Sequence, residues 1–163
     1  MRSRFSSSAR LLACAALLGG TALAQTPAPL TLPAGWVAAG SGAWRDSSGA
    51  CLLRVQNFGR PFSVLTSEQQ ALALGGKLRK ALTQSGMASV TTQGVGPTDS
   101  GLTPAGEWGV LAAYTYTQAE VRYQIVQLYF AQGGKLRTIT GSHSEGEASA
   151  CVNVMRDLLK GRR

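Results

Sequence analysis

Two neighbouring strand-like segments, residues 107–117 and 121–131, carry apolar side chains on both of their faces. In the second, Val121, Tyr123, Ile125 and Tyr129 share one face, while Val126, Leu128 and Phe130 share the other. The first repeats the pattern, with Leu111 and Ala113 opposite Trp108, Val110, Ala112 and Tyr114. An antiparallel sheet with one wet face would alternate cleanly between apolar and polar residues. This pair therefore needs a cover on each side, and the rest of the chain must supply it.

Two segments have the right period. Ala71, Leu74, Leu78 and Leu82 fall on one side of an amphipathic helix over residues 66–85, with Lys77, Arg79 and Lys80 pointing elsewhere. Thr66 and Gln69 are spaced as a capping box, and Gly86 is a natural C-terminal stop. Gly75-Gly76 inside this helix costs about 1 kcal/mol per glycine relative to alanine, and close approach to a sheet is one reason to carry it. A second helix is expected over residues 145–160, where Ala148, Cys151, Val152, Met155 and Leu159 fall on one face and Ser144 and Glu147 form a capping box.

Further strands are expected at 51–58, where Cys51, Leu53 and Val55 alternate with Arg54 and Gln56, and at 88–94 and 135–140. Residues 36–38 and 43–45 read as a short hairpin, and Gly133-Gly134 as a tight turn. The architecture predicted is α+β: an antiparallel sheet of about five to six strands covered by helices as a three-layer α/β/α sandwich.

The N-terminus reads as an export signal. Arg2, Arg4 and Arg10 precede the apolar run 11–18, and Ala22-Leu23-Ala24 offers small residues before a cleavage between Ala24 and Gln25. Gly19, Gly20 and Thr21 break the run too early for a membrane span. Leu11-Leu12-Ala13-Cys14 looks like a lipobox but leaves almost no hydrophobic stretch after Arg10. Residues 25–33, with Pro27, Pro29 and Pro33, form an extended lead-in, and residues 34–161 a single domain.

Cleavage would alter both charge and cysteine content. Three of the sixteen Lys and Arg leave with the signal, lowering a formal net charge of +8, and Lys160, Arg162 and Arg163 sit at the C-terminal tip. No clustered basic face with stacking aromatics is left to suggest nucleic-acid binding. Cys14 also leaves, so Cys51 and Cys151 remain as a pair in a compartment where disulfides persist.

An exported domain that opens Pro33-Ala34-Gly35-Trp36, runs strand pair, helix and antiparallel meander, and ends Thr140-Gly141-Ser142 before a last helix resembles the PsbP/DcrB-type family over residues 33–161. The resemblance implies a non-enzymatic extracytoplasmic domain that binds a protein or envelope partner. It carries no catalytic motif to transfer, and it does not foretell the cysteine pair.

Chemistry-bearing patterns are few. One histidine and a mutually paired Cys51 and Cys151 leave no zinc or iron ligand set, and no acidic cluster has calcium-loop spacing; no metal or cofactor is expected. His143, flanked by Ser142, Ser144 and Glu145, is the most tempting catalytic residue, but helix capping accounts for the same residue types. Asp99-Ser100-Gly101 matches a fragment of a serine-protease signature and is read as a surface turn between Pro97 and Pro104. Gly-Gly-Lys-Leu-Arg at 75–79 and 133–137 lacks the Gly-Lys-Ser/Thr of a phosphate loop.

Tyr114 and Tyr116 are candidate ligand residues if their strand face stays partly wet, with sheet packing as the alternative. The function expected is a non-catalytic binding domain for an envelope or extracellular protein, with no transmembrane segment after cleavage. The alternative is a small secreted hydrolase or ligand carrier using Ser142, His143 or the Tyr114/Tyr116 face.

Overall fold

The computed structural model describes residues 30–85, 91–145 and 151–160. The signal segment, the Ala24/Gln25 cleavage pair, most of the lead-in, Gly86 and Glu147 lie outside the described residues.

The elements are β1 (Val37–Gly40), β2 (Ala43–Arg45), β3 (Cys51–Pro61), α1 (Glu68–Thr83), β4 (Thr91–Thr98), β5 (Gly109–Gln118), β6 (Val121–Gln132), β7 (Lys135–Ser144) and α2 (Cys151–Lys160). All strands join one antiparallel sheet in the order β1-β2-β3-β7-β6-β5-β4. The sheet therefore has seven strands, not five to six. The difference comes from the short β1–β2 hairpin, which pairs onto β3 through Ala43↔Arg54 and Trp44↔Leu53 and so extends the sheet.

Two tight turns set the register of the meander. Gly133 and Gly134 have φ of 56° and 71°, as a two-residue hairpin with both central residues left-handed requires. Ala119 and Glu120, with φ of 48° and 66°, make the same turn between β5 and β6 without glycine. The register then places Val110, Ala112 and Tyr114 beside Ile125 and Tyr129 on one face, and Leu111 beside Leu128 and Ile139 on the other.

Each face receives one helix. Leu82 of α1 packs with Ala112, Tyr114 and Ile125, and Ala71 packs with Leu65 and Val110. Leu159 of α2 packs with Leu53, Val126, Leu128, Phe130 and Ile139 on the opposite face. Cys151, Met155 and Leu159 are the buried positions of α2, spaced as a helical stripe. Leu30 and Leu32, within the expected lead-in, also pack against this second core. Among the described residues, no helix is long and apolar enough to cross a membrane.

Several boundaries differ from the sequence reading. Ser67, not Thr66, is the N-cap of α1; its hydroxyl accepts from the Gln70 amide at 3.3 Å. Gln70, not Gln69, reaches back, its Oε1 accepting from the Thr66 amide at 2.8 Å. Strand β7 runs on to Ser144 because both neighbours still have backbone to pair with it, through Cys51↔His143 and Tyr123↔Ser144. Ser144 is thus a strand residue and not the helix cap that the sequence predicts. Ser100 is not in a surface turn either: it is fully buried, and its hydroxyl donates to the Leu159 carbonyl at 2.8 Å, holding the end of α2.

Candidate functional site on the open face of the sheet

α1 lies over β4 and β5, whereas α2 packs on β3, β6 and β7 from the other side. The α1 face of β3 and β7 therefore carries no helix among the described residues. A groove of about 410 Å³ opens there, its floor formed by Leu52, Thr140, Ser142 and Ile125 and its sides by Arg54, Tyr114, Tyr116 and Tyr123, with Gln56 and Gln118 at the margins.

The aromatic wall follows from strand register. The Ala119-Glu120 turn pairs Gln118 with Val121, so Tyr116 must face Tyr123. Their rings stack with centroids 5.4 Å apart and planes 21° from parallel, within the favourable range for offset aromatic pairs. Both residues are half-buried.

Tyr114 is held more tightly. Its hydroxyl donates to Gln127 Oε1 at 3.2 Å, and the Tyr129 hydroxyl donates to the same oxygen at 2.5 Å. Burial, with a smaller contribution from Tyr116, pushes the Tyr114 phenol up to about 12. Burial and then Tyr114 raise the Tyr129 phenol as well, against the opposing effect of Arg60. Both tyrosines are therefore neutral hydrogen-bond donors at any physiological pH.

The groove's charge is one-sided. Arg54 is exposed on its side, and Arg45, paired with Leu52, shares this face on β2. Among the described residues, no carboxylate lines the groove. The surface thus offers a guanidinium, stacked phenols and short hydroxyls, which suit an anionic group joined to apolar or planar surface.

The sequence candidates separate into two groups. Tyr114 and Tyr116 meet in the groove together with Ser142, whose hydroxyl donates to the Leu52 carbonyl at 3.4 Å. His143 does not join them. One residue along the strand from Ser142, it points through the sheet to the α2 face, where it is 6% exposed. Its neighbour across the strand pair is Cys51, which is disulfide-bonded to Cys151 as the cysteine count led one to expect, with Cα atoms 6.2 Å apart. Ser142 and Ser144 both lie on the face opposite His143, because strand side chains alternate.

Arg54 was missed as a site residue in the sequence, where it read only as the polar phase of an alternating strand. The register of Tyr116 on Tyr123 could have been found, since a two-residue turn between the strands dictates it.

These features define a seven-stranded antiparallel α+β domain with one sheet face partly open. Among solved structures the chain is similar to cyanobacterial PsbP (CyanoP) from Synechocystis sp. PCC 6803, at 15% identity over 78% of this chain and 80% of that one, with a TM-score of 0.49. It is also similar to PA94, a Pseudomonas aeruginosa protein of unknown function, at 9% identity over 68% of this chain and 81% of that one, with a TM-score of 0.42. The first bears the PsbP name; nothing in these comparisons bears on the DcrB part of the resemblance. No family model matches the sequence, and no curated protein matches it.

Proposed function

We propose that this chain is an exported, non-catalytic interaction domain that receives an acidic segment of an envelope or extracellular protein on the tyrosine-lined face of its sheet. The observation that carries this reading is the groove itself: stacked Tyr116 and Tyr123 beside an exposed Arg54, with no carboxylate among the described residues of the lining. A basic, aromatic surface complements an acidic partner and steers its approach. Export is supported by the pattern of residues 1–24 and by the Cys51–Cys151 bridge. Helices on opposite faces support reading the domain as a three-layer α/β/α sandwich.

The groove's volume also lies within the range of small-molecule sites, so a ligand carrier is the second reading. A hydrolase centred on His143 has less support, because Ser142 and Ser144 face away from it. The test is a pull-down from envelope extract with the wild-type protein and with Arg54→Glu and Tyr116→Ala. A polypeptide retained by the wild type and lost by both variants supports the proposal; equal retention by all three places the partner elsewhere. Ester turnover abolished by His143→Ala would replace the proposal with the hydrolase.

A further inference from the structure

Cys51, His143 and Cys151 form a second cluster, on the face opposite the groove. They are 0%, 6% and 7% exposed, and their potential ligand atoms all lie within 4.8 Å of one another. Strand register puts His143 beside Cys51, and Cys151 of α2 lies next to them. Neither ring nitrogen of His143 has a hydrogen-bond partner among the described residues. Leaving a buried polar group unpaired costs roughly 1–3 kcal/mol, so an imidazole held this way next to two sulfurs calls for a ligand.

The donor set is soft. Two cysteine sulfurs and an imidazole sit among Trp36, Val152 and Met155, and Met155 adds a thioether to the same apolar wall. The nearby carboxylate of Glu145 is already engaged by Arg122 at 3.1 Å and Gln124 at 3.0 Å. Thiolate and thioether ligands suit Cu(I), zinc and Fe–S clusters. Metal–sulfur bonds of about 2.3 Å put neighbouring donors about 4 Å apart, so the three residues need to move little. Structural zinc sites hold four protein ligands, and three-ligand zinc sites keep an open fourth position for water; here three ligands are on hand and all are buried, which favours the low-coordinate Cu(I).

We propose that, once the Cys51–Cys151 bridge is reduced, Cys51 Sγ, Cys151 Sγ and a ring nitrogen of His143 bind one Cu(I) ion, so that the domain exchanges a disulfide for a buried copper site. In the reductive step an external dithiol supplies two electrons and two protons. The Cys51–Cys151 S–S bond breaks, two cysteine thiols form, and the dithiol becomes a disulfide. Copper then displaces the thiol protons to water.

The test uses the full chain carrying Cys14→Ser, reduced under anaerobic conditions with a phosphine that is then removed. It is titrated with Cu(I) in competition with bicinchoninate. The reduced protein takes up one ion per chain and the oxidised protein none, and His143→Ala weakens binding at least about tenfold, since even outer-shell partners of a metal site cost 10–100-fold. Should His143→Ala lose its fold, X-ray absorption at the copper edge of the Cu(I)-loaded Cys14→Ser protein still decides: sulfur scatterers plus one imidazole are expected. His143 is the single histidine of the chain, so that imidazole has no other source within it. Equal uptake by oxidised and reduced protein, sulfur-only coordination, unchanged affinity in a folded His143→Ala, or preference for Zn(II) over Cu(I) in competition overturns the proposal.

Discussion

Met155 sits directly over Gly141: a β-carbon on that glycine would lie 2.7 Å from the Met155 sulfur and 3.1 Å from its Cβ. The absence of a side chain on β7 is what lets α2 approach the sheet this closely. Gly141→Ala should therefore push α2 outward and destabilise the protein by about 1–3 kcal/mol, as overpacking of a filled core does. Urea denaturation followed by circular dichroism measures it; an unchanged midpoint would show that α2 adjusts freely.

The opposite result is expected at Gly76. Its β-carbon would meet nothing within 4 Å, and even at Gly75 the nearest atom, Val95 Cγ1, is at an ordinary contact distance of 3.5 Å. Close approach to the sheet therefore does not explain the glycine pair in α1. Gly76→Ala should raise stability by about 0.5–1 kcal/mol through helix propensity and reduced unfolded-state freedom. A rise in the thermal midpoint checks this.

The bridge between Cys51 and Cys151 spans a sequence separation of 100. In the chain-entropy account such a loop stabilises by about 4–5 kcal/mol. It also ties β3 to α2, so reduction should loosen the helix. Comparing urea midpoints with and without reductant should show a loss of about 2–5 kcal/mol. Equal midpoints would mean that packing alone holds α2 in place.

Alkaline pH should act on the folded state through Tyr114. Its phenol ionises near 10.0 when free and near about 12 when folded, so the folded chain keeps a proton that the unfolded chain releases across that window. The stability this contributes is complete below pH 10 and is lost as pH rises toward 12. Tyr114→Phe should flatten that part of the profile, leaving the share due to the similarly raised Tyr129. Urea midpoints at pH values across the window, with phenolate absorbance as a second readout, test it.

Much of this fold could be read from local pattern. The strand faces of 121–131, the helical stripe of 71–82 and the Gly133-Gly134 turn each follow from residue period or turn chemistry, which depend on near neighbours. Ser144 and Ser100 could not be read this way. Whether Ser144 caps a helix or ends a strand depends on how far β3 and β6 extend beside it. Ser100 looked like a surface turn because its partner, Leu159, is 59 residues away.

The candidate site divides along the same line. Alternation along β7 is a property of the sequence, so Ser142 and His143 had to face opposite ways once residues 135–144 formed a strand. The cysteine count likewise points to the Cys51–Cys151 pair without reference to the fold. Only the tertiary structure decided which face stayed open: α1 crosses β4 and β5 and stops short of β7, leaving Tyr116, Tyr123 and Arg54 uncovered. It also decided that His143 lies buried beside the disulfide. Those outcomes depend on where helices land on a sheet, and that is set by long-range packing, as at Gly141 and Met155, which no local pattern encodes.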